Sequence, residues 1–139
     1  LGGSPKLHVT VVFLGARESA KGIWEAASGA AEGLDTPLFE PCGVVGVPRR
    51  RPRLFALDLE DVGARGAALH EAVSAALGEP VTRPFWPHVT LLRVRKGRRP
   101  EAPAPPGDLD PFAPNALALY RSHPGPQGSR YEVLERQAL

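Results

Sequence analysis

"KLHVTVVFLG" (residues 6–15) and "WPHVTLLRVR" (residues 86–95) each carry His-Val-Thr inside an apolar run. Both runs are rich in β-branched residues, which predicts two strands, over 7–14 and 86–95, the first closed by Gly15 and covered on both faces. Side chains alternate faces along a strand. His8, Thr10 and Val12 then share one side, and Val9, Val11 and Phe13 point the other way into hydrophobic packing. In the second copy His88, Thr90 and Leu92 share a side opposite Val89 and Leu91. Each run offers an imidazole and a hydroxyl about 7 Å apart along the chain.

Between these runs the pattern changes period. Residues 16–34 are Ala-rich, with Ile23, Ala27, Ala30, Ala31 and Leu34 at helical spacing. Residues 37–47 read as a strand broken or bulged at Pro41–Gly43, and residues 53–60 as another strand. A second helix is predicted over 62–78, with Gly78 as its stop. Residues 96–111 hold too much proline and charge for a core and read as an exposed loop. Residues 115–122 and 130–139 read as two last strands joined by a hairpin loop over 123–129. Stretches 7–47 and 53–95 look like rough copies of one design, and the two histidines lie 80 residues apart. An approximate internal two-fold is the simplest account. If it sets the two His-x-Thr strands side by side, two imidazoles and two hydroxyls converge on one cleft.

With 139 residues the chain has room for one domain, or two small lobes sharing a core. Its formal charge is only +2, yet "PRRRPR" (48–53) and "RVRKGRR" (93–99) concentrate the basic residues. Such clusters suit a polyanion, or are solvated loops. Cys42 is the one cysteine, which excludes a disulfide framework and points to a reducing compartment, the cytoplasm. No apolar run approaches the roughly 20 residues of a membrane span. The absence of methionine, even at position 1, suggests that the chain begins inside a longer gene product or was trimmed.

Two imidazoles can divide acid and base work near neutrality, one neutral and one protonated. Threonine hydroxyls can donate to the non-bridging oxygens of a phosphate as charge builds there. That set fits in-line attack on a phosphodiester, and a strained cyclic phosphate is a natural substrate. A lone histidine on a strand is most simply a satisfied core or edge residue; two copies at the same spacing argue for function. Zinc needs three or four ligands, and neither His70 nor His123 has ligand spacing with the pair, so no metal and no other cofactor is expected.

"LHVTVVFLG" and "RPFWPHVTLLRVR" resemble the paired H-x-T-x motifs of the 2H phosphoesterases, and "LYRS…RYEVLERQAL" resembles the closing strands of that superfamily's RNA 2′,3′-cyclic phosphodiesterases, also described as 2′-5′ RNA ligases. The resemblance covers most of the chain from residue 7. It implies an α+β fold of two lobes related by a pseudo-two-fold, with mainly antiparallel sheets, helices packed outside and a central cleft. Residues 1–139 would form this single bilobal domain. It also implies His8 and His88 as the catalytic pair, His88 as base and His8 as acid, with Thr10 and Thr90 on the phosphate. An arginine five residues after the second histidine falls on Arg93, a phosphate contact or a surface charge. Strict alternation turns Arg93 away from the cleft, so a place there needs a twist or bulge. Family members carry a strand and a helix ahead of the first motif. Here only "LGGSPK" precedes Leu7, so the first lobe is expected to lack them.

Alternation puts Trp86 on the cleft side, where it could stack on a base or serve as a hydrophobic lid. Arg49, Arg50 and Arg51 could guide an RNA backbone or be solvated. His70 reads as an exposed surface histidine, His123 as a loop residue, and Cys42 as a small buried apolar group. The expected substrate is RNA ending in a 2′,3′-cyclic phosphate, or a cyclic nucleotide, handled by a monomer. The rivals are RNA 2′-5′ ligation in the same cleft, and a non-catalytic RNA- or nucleotide-binding module.

Overall fold

The nearly continuous apolar run from Leu54 to Leu59 makes a strand suited to the middle of a sheet, and the chain uses it there. The computed structural model describes residues 8–15, 19–104, 110–126 and 130–139. In order, the elements are α1 (Ala20–Ala31), β1 (Phe39–Val47), β2 (Leu54–Asp61), α2 (Arg65–Leu77), β3 (His88–Arg93), β4 (Ala116–His123) and β5 (Arg130–Ala138). The expected positions 7, 16–18, 105–109 and 127–129 lie outside the described residues.

Two antiparallel sheets result. One has the order β1-β2-β3 and the other is the β4–β5 hairpin. Helix α1 packs along α2 and touches β5, while α2 touches β2. The molecule is thus α+β with its helices set against antiparallel sheets. Strands from both presumed sequence copies, β1 and β2, hydrogen-bond to each other, so sheet boundaries do not follow the copies.

Phe39, Leu57, Leu59 and Val89 form the central cluster of the core, each at most 4 % exposed. Such burial contributes roughly 1.5–3 kcal/mol for each large apolar side chain. Val9, Phe85, Leu91 and Phe112 pack against this cluster. Phe39 and Phe112 also exchange both backbone hydrogen bonds, at 2.9 Å each, which ties the approach to β4 onto the start of β1.

The turn from β2 into α2 is built by Asp61. Its Oδ1 accepts from Gly66 N at 2.7 Å and its Oδ2 from Ala67 N at 2.8 Å. One carboxylate therefore satisfies two of the helix's unpaired amides. A side chain at Gly66 would come within 3 Å of Phe85, Asp61 and Phe39, so only glycine fits. Gly78 ends α2 in the left-handed conformation (φ 68°), as expected. The break expected at Pro41–Gly43 is a register shift in β1 at that place.

The first expected strand departs from expectation. Residues 8–15 belong to no strand of either sheet. Side chains hold this segment: the His70 imidazole bonds the Val11 carbonyl at 2.6 Å, and two tyrosines flank His8. With no ladder to impose alternation, Phe13 does not pack inward and is 82 % exposed.

Candidate active site

Strand β3 carries the second motif in a ladder whose register fixes its faces. His88 lies opposite Asp58, Thr90 opposite Ala56 and Arg93 opposite Leu54. Opposed residues of an antiparallel pair share a face. Asp58, Ala56 and Leu54 alternate along β2, so His88, Thr90 and Arg93 all stand on their side. Between Thr90 and Leu92 the register shifts, and Leu91 is the extra residue. This bulge is what returns Arg93 to the side of His88; in an unbroken ladder Leu92 would have been there.

The segment leading into β3 fixes the His88 ring. The Trp86 indole stacks on it, with ring centres 3.8 Å apart and planes 16° from parallel. His88 Nδ1 lies 2.9 Å from the Trp86 carbonyl oxygen. A carbonyl oxygen only accepts, so Nδ1 carries the proton and the neutral ring keeps its lone pair on Nε2. The Trp86 indole N–H in turn donates to Asp58 Oδ1 at 2.8 Å. Trp86, Asp58 and His88 form one interlocked group, with Trp86 39 % exposed.

Beside this group lies an open depression of about 270 Å³, lined by Val45, Gly46, Pro48, Arg49, Asp58 and Trp86. Gly46 lets the β1–β2 loop fold back here, since a Cβ would sit 2.7 Å from Pro52 Cγ. The loop brings exposed Arg49, Arg50 and Arg51 to this end of the sheet, with Arg49 in the wall.

His8 has a different setting. Its ring centre is 5.5 Å from Tyr120 and 5.0 Å from Tyr131. In the β4–β5 register Ser122 faces Tyr131, and Tyr120 faces Val133, so both tyrosines share one side of the hairpin. His8 is half-buried between them and Thr10 is exposed. Val89 belongs to the core cluster, and Val9 packs against that cluster.

Several site residues escaped sequence reasoning. Asp58 could have been found as the one acid inside the apolar run "LFALDL". Tyr120 and Tyr131 gave no signal, because their approach to His8 is a tertiary matter. His70 is not an exposed surface residue: it is half-buried, stacked on Phe85 at 5.4 Å and bonded to Val11. Cys42 is not a buried apolar group either. It is exposed at the β1 register shift, and its thiol is pushed above the ordinary value by partial desolvation and then by Asp58 and Glu60. His123 pairs with Glu132 at 2.9 Å. Among the described residues, no three His, Cys, Asp or Glu side chains are grouped to hold a metal ion, and no helix is long and apolar enough to cross a membrane.

No protein-family model matches the chain, and no curated protein does. Solved structures do match. The crystal structure of TT0787 of Thermus thermophilus is 30% identical, with a TM-score of 0.72, over 96% of this chain and 78% of that one. The chain belongs to the 2H phosphoesterase superfamily. A structure described as a phosphoesterase is 26% identical over 96% of this chain and 76% of its own, with a TM-score of 0.64. E. coli LigT in its apo form is 26% identical over 96% of this chain and 75% of its own, with a TM-score of 0.65. LigT has also been crystallised with 3′-AMP, NADP+ and ATP. The fold is therefore LigT-like, and the superfamily's chemistry is at phosphodiesters.

Proposed function

We propose that this chain is a metal-independent RNA 2′,3′-cyclic phosphodiesterase, with residues 1–139 acting as one bilobal domain. The observation that carries the reading is the fixed imidazole of His88. Its Nδ1–H is committed to the Trp86 carbonyl, its ring is clamped by the indole, and Nε2 is left as the basic nitrogen.

In the proposed reaction His88 Nε2 takes a proton from water. The water oxygen bonds to phosphorus, the P–O3′ bond breaks, and His8 donates its proton to the departing O3′. The product is a 2′-phosphomonoester beside a free 3′-hydroxyl. One histidine gains the proton the other loses, and exchange with solvent resets both. Thr10 and Thr90 hydroxyls donate to the non-bridging oxygens, and Arg93 adds its charge from the face of His88. Trp86 offers a stacking surface beside the depression, and Arg49–Arg51 attract the RNA backbone. LigT's complexes with nucleotides support a nucleotide ligand. A lone cysteine suits a cytoplasmic protein.

The test is incubation with 2′,3′-cyclic AMP in EDTA, with the product isomer read by phosphorus NMR. A 2′-phosphate formed at an undiminished rate supports the reading; no turnover, a 3′-phosphate, or loss of rate in EDTA defeats it. RNA 2′-5′ ligation is the second reading, favoured by the likeness to LigT. It is the same exchange at phosphorus with a ribose hydroxyl as nucleophile. RNA pairs bearing a cyclic phosphate and a 5′-hydroxyl distinguish it, by a joined product. Tight binding with neither product would mark a non-catalytic module.

A further inference from the structure

We propose that His70 is a positioning residue that couples the two His-x-Thr segments. Its ring touches the first and the residue just ahead of the second. On one side Nδ1 lies 2.6 Å from the Val11 carbonyl oxygen, one residue beyond Thr10. On the other its face stacks on Phe85, three residues before His88, at 5.4 Å and 20° from parallel. Phe85 in turn packs on Phe39 in the core, 6.5 Å between ring centres.

The polar chemistry of the ring argues for a dedicated role. The Val11 carbonyl can only accept, so the proton sits on Nδ1. Nε2 is then a bare acceptor, and it is buried with no hydrogen-bond partner among the described residues. Leaving an acceptor unpaired is unfavourable, and a phenylalanine would stack on Phe85 without that penalty. What the phenylalanine could not do is donate to Val11. Residues 8–15 have no sheet ladder to take up their backbone groups, so this carbonyl depends on a side chain. Helix α2, held in place at its start by Asp61, thus supplies the bond a neighbouring strand would have made.

The kinetic consequence rests on the phosphodiester reading: a shift of about 1 Å in catalytic groups can cost about a hundredfold in rate. The test compares the unaltered protein with His70→Phe and His70→Asn. The first keeps a ring for Phe85 and loses the donor; the second keeps an N–H near the Nδ1 position. Two readouts are taken: kcat and KM on 2′,3′-cyclic AMP, and hydrogen–deuterium exchange across residues 8–15. His70→Phe is expected to lower kcat at least tenfold, leave KM within about threefold, and raise exchange in 8–15 with little change in β2. His70→Asn is expected to recover part of both. Unchanged exchange in 8–15, or a loss spread evenly over the whole fold, overturns the proposal. Should the unaltered protein turn over no phosphodiester, the function reading fails, and the exchange comparison alone decides the role of His70.

Discussion

The Trp86 indole covers one face of the His88 imidazole at 3.8 Å, while the carbonyl of the same tryptophan holds His88 Nδ1. One residue therefore sets both the plane and the protonation pattern of the ring. Trp86→Ala removes the stack and leaves Asp58 without its indole donor. A fall in kcat of about tenfold on 2′,3′-cyclic AMP is expected, on the scale of a loosened catalytic group. Trp86→Phe keeps a ring and loses only the N–H, so it should fall between. Steady-state kinetics of the three proteins check the order.

His8→Ala and His88→Ala should each lower turnover by at least about a hundredfold, the low end for general acid–base work. The double variant should be little worse than the poorer single one, because groups acting as a unit are not additive. Equal, independent losses that multiply would argue that the two imidazoles serve different events. Single-turnover rates on a cyclic nucleotide make the comparison.

Gly66→Ala places a methyl group 2.7 Å from Phe85 Cε2, 2.8 Å from Asp61 Oδ1 and 2.9 Å from Phe39 Cε1. Overpacking of this kind costs about 1–3 kcal/mol. Urea unfolding should show a lower midpoint with an unchanged slope.

Glu132 titrates below the ordinary carboxyl range, first because His123 hydrogen-bonds it and then through the charges of His123, Arg121 and Arg130. A carboxyl depressed in the folded state favours folding above its unfolded pKa. That contribution fades as pH falls through the folded value, here on the acid side of 4.5. His123→Asn should move the Glu132 carboxyl titration upward, as read by carbon NMR of the side chain between about pH 2 and 6.

How far the sequence reveals this molecule depends on how local each feature is. The helix near 62–78, its stop at Gly78 and the disruption at Pro41–Gly43 were legible, because glycine and proline act on their own backbone. The second motif was legible because β3 pairs with β2 and alternation then holds. The same composition predicts a strand at the first motif, but a strand needs a partner, and side chains hold residues 8–15 instead. Phe13 lost its inward place with the ladder. Likewise His70 looks like any polar residue on a helix until Val11 and Phe85 are brought to it. The need for a bulge before Arg93 was visible in the parity of the sequence; its position at Leu91 was not, since it depends on the register with Phe55 and Ala56.

Leu91 is counted in the chain but not in the ladder, and that mismatch decides what stands third in line after His88 and Thr90. Were the kink ironed flat with every residue kept, a hydrocarbon would take the third place and the guanidinium would swing to the far side. Deleting Leu91 instead would leave a regular strand with the same three side chains still in one row. The electrical character of this rim therefore tolerates a lost residue better than a lost irregularity, and it can be rewired without touching either histidine.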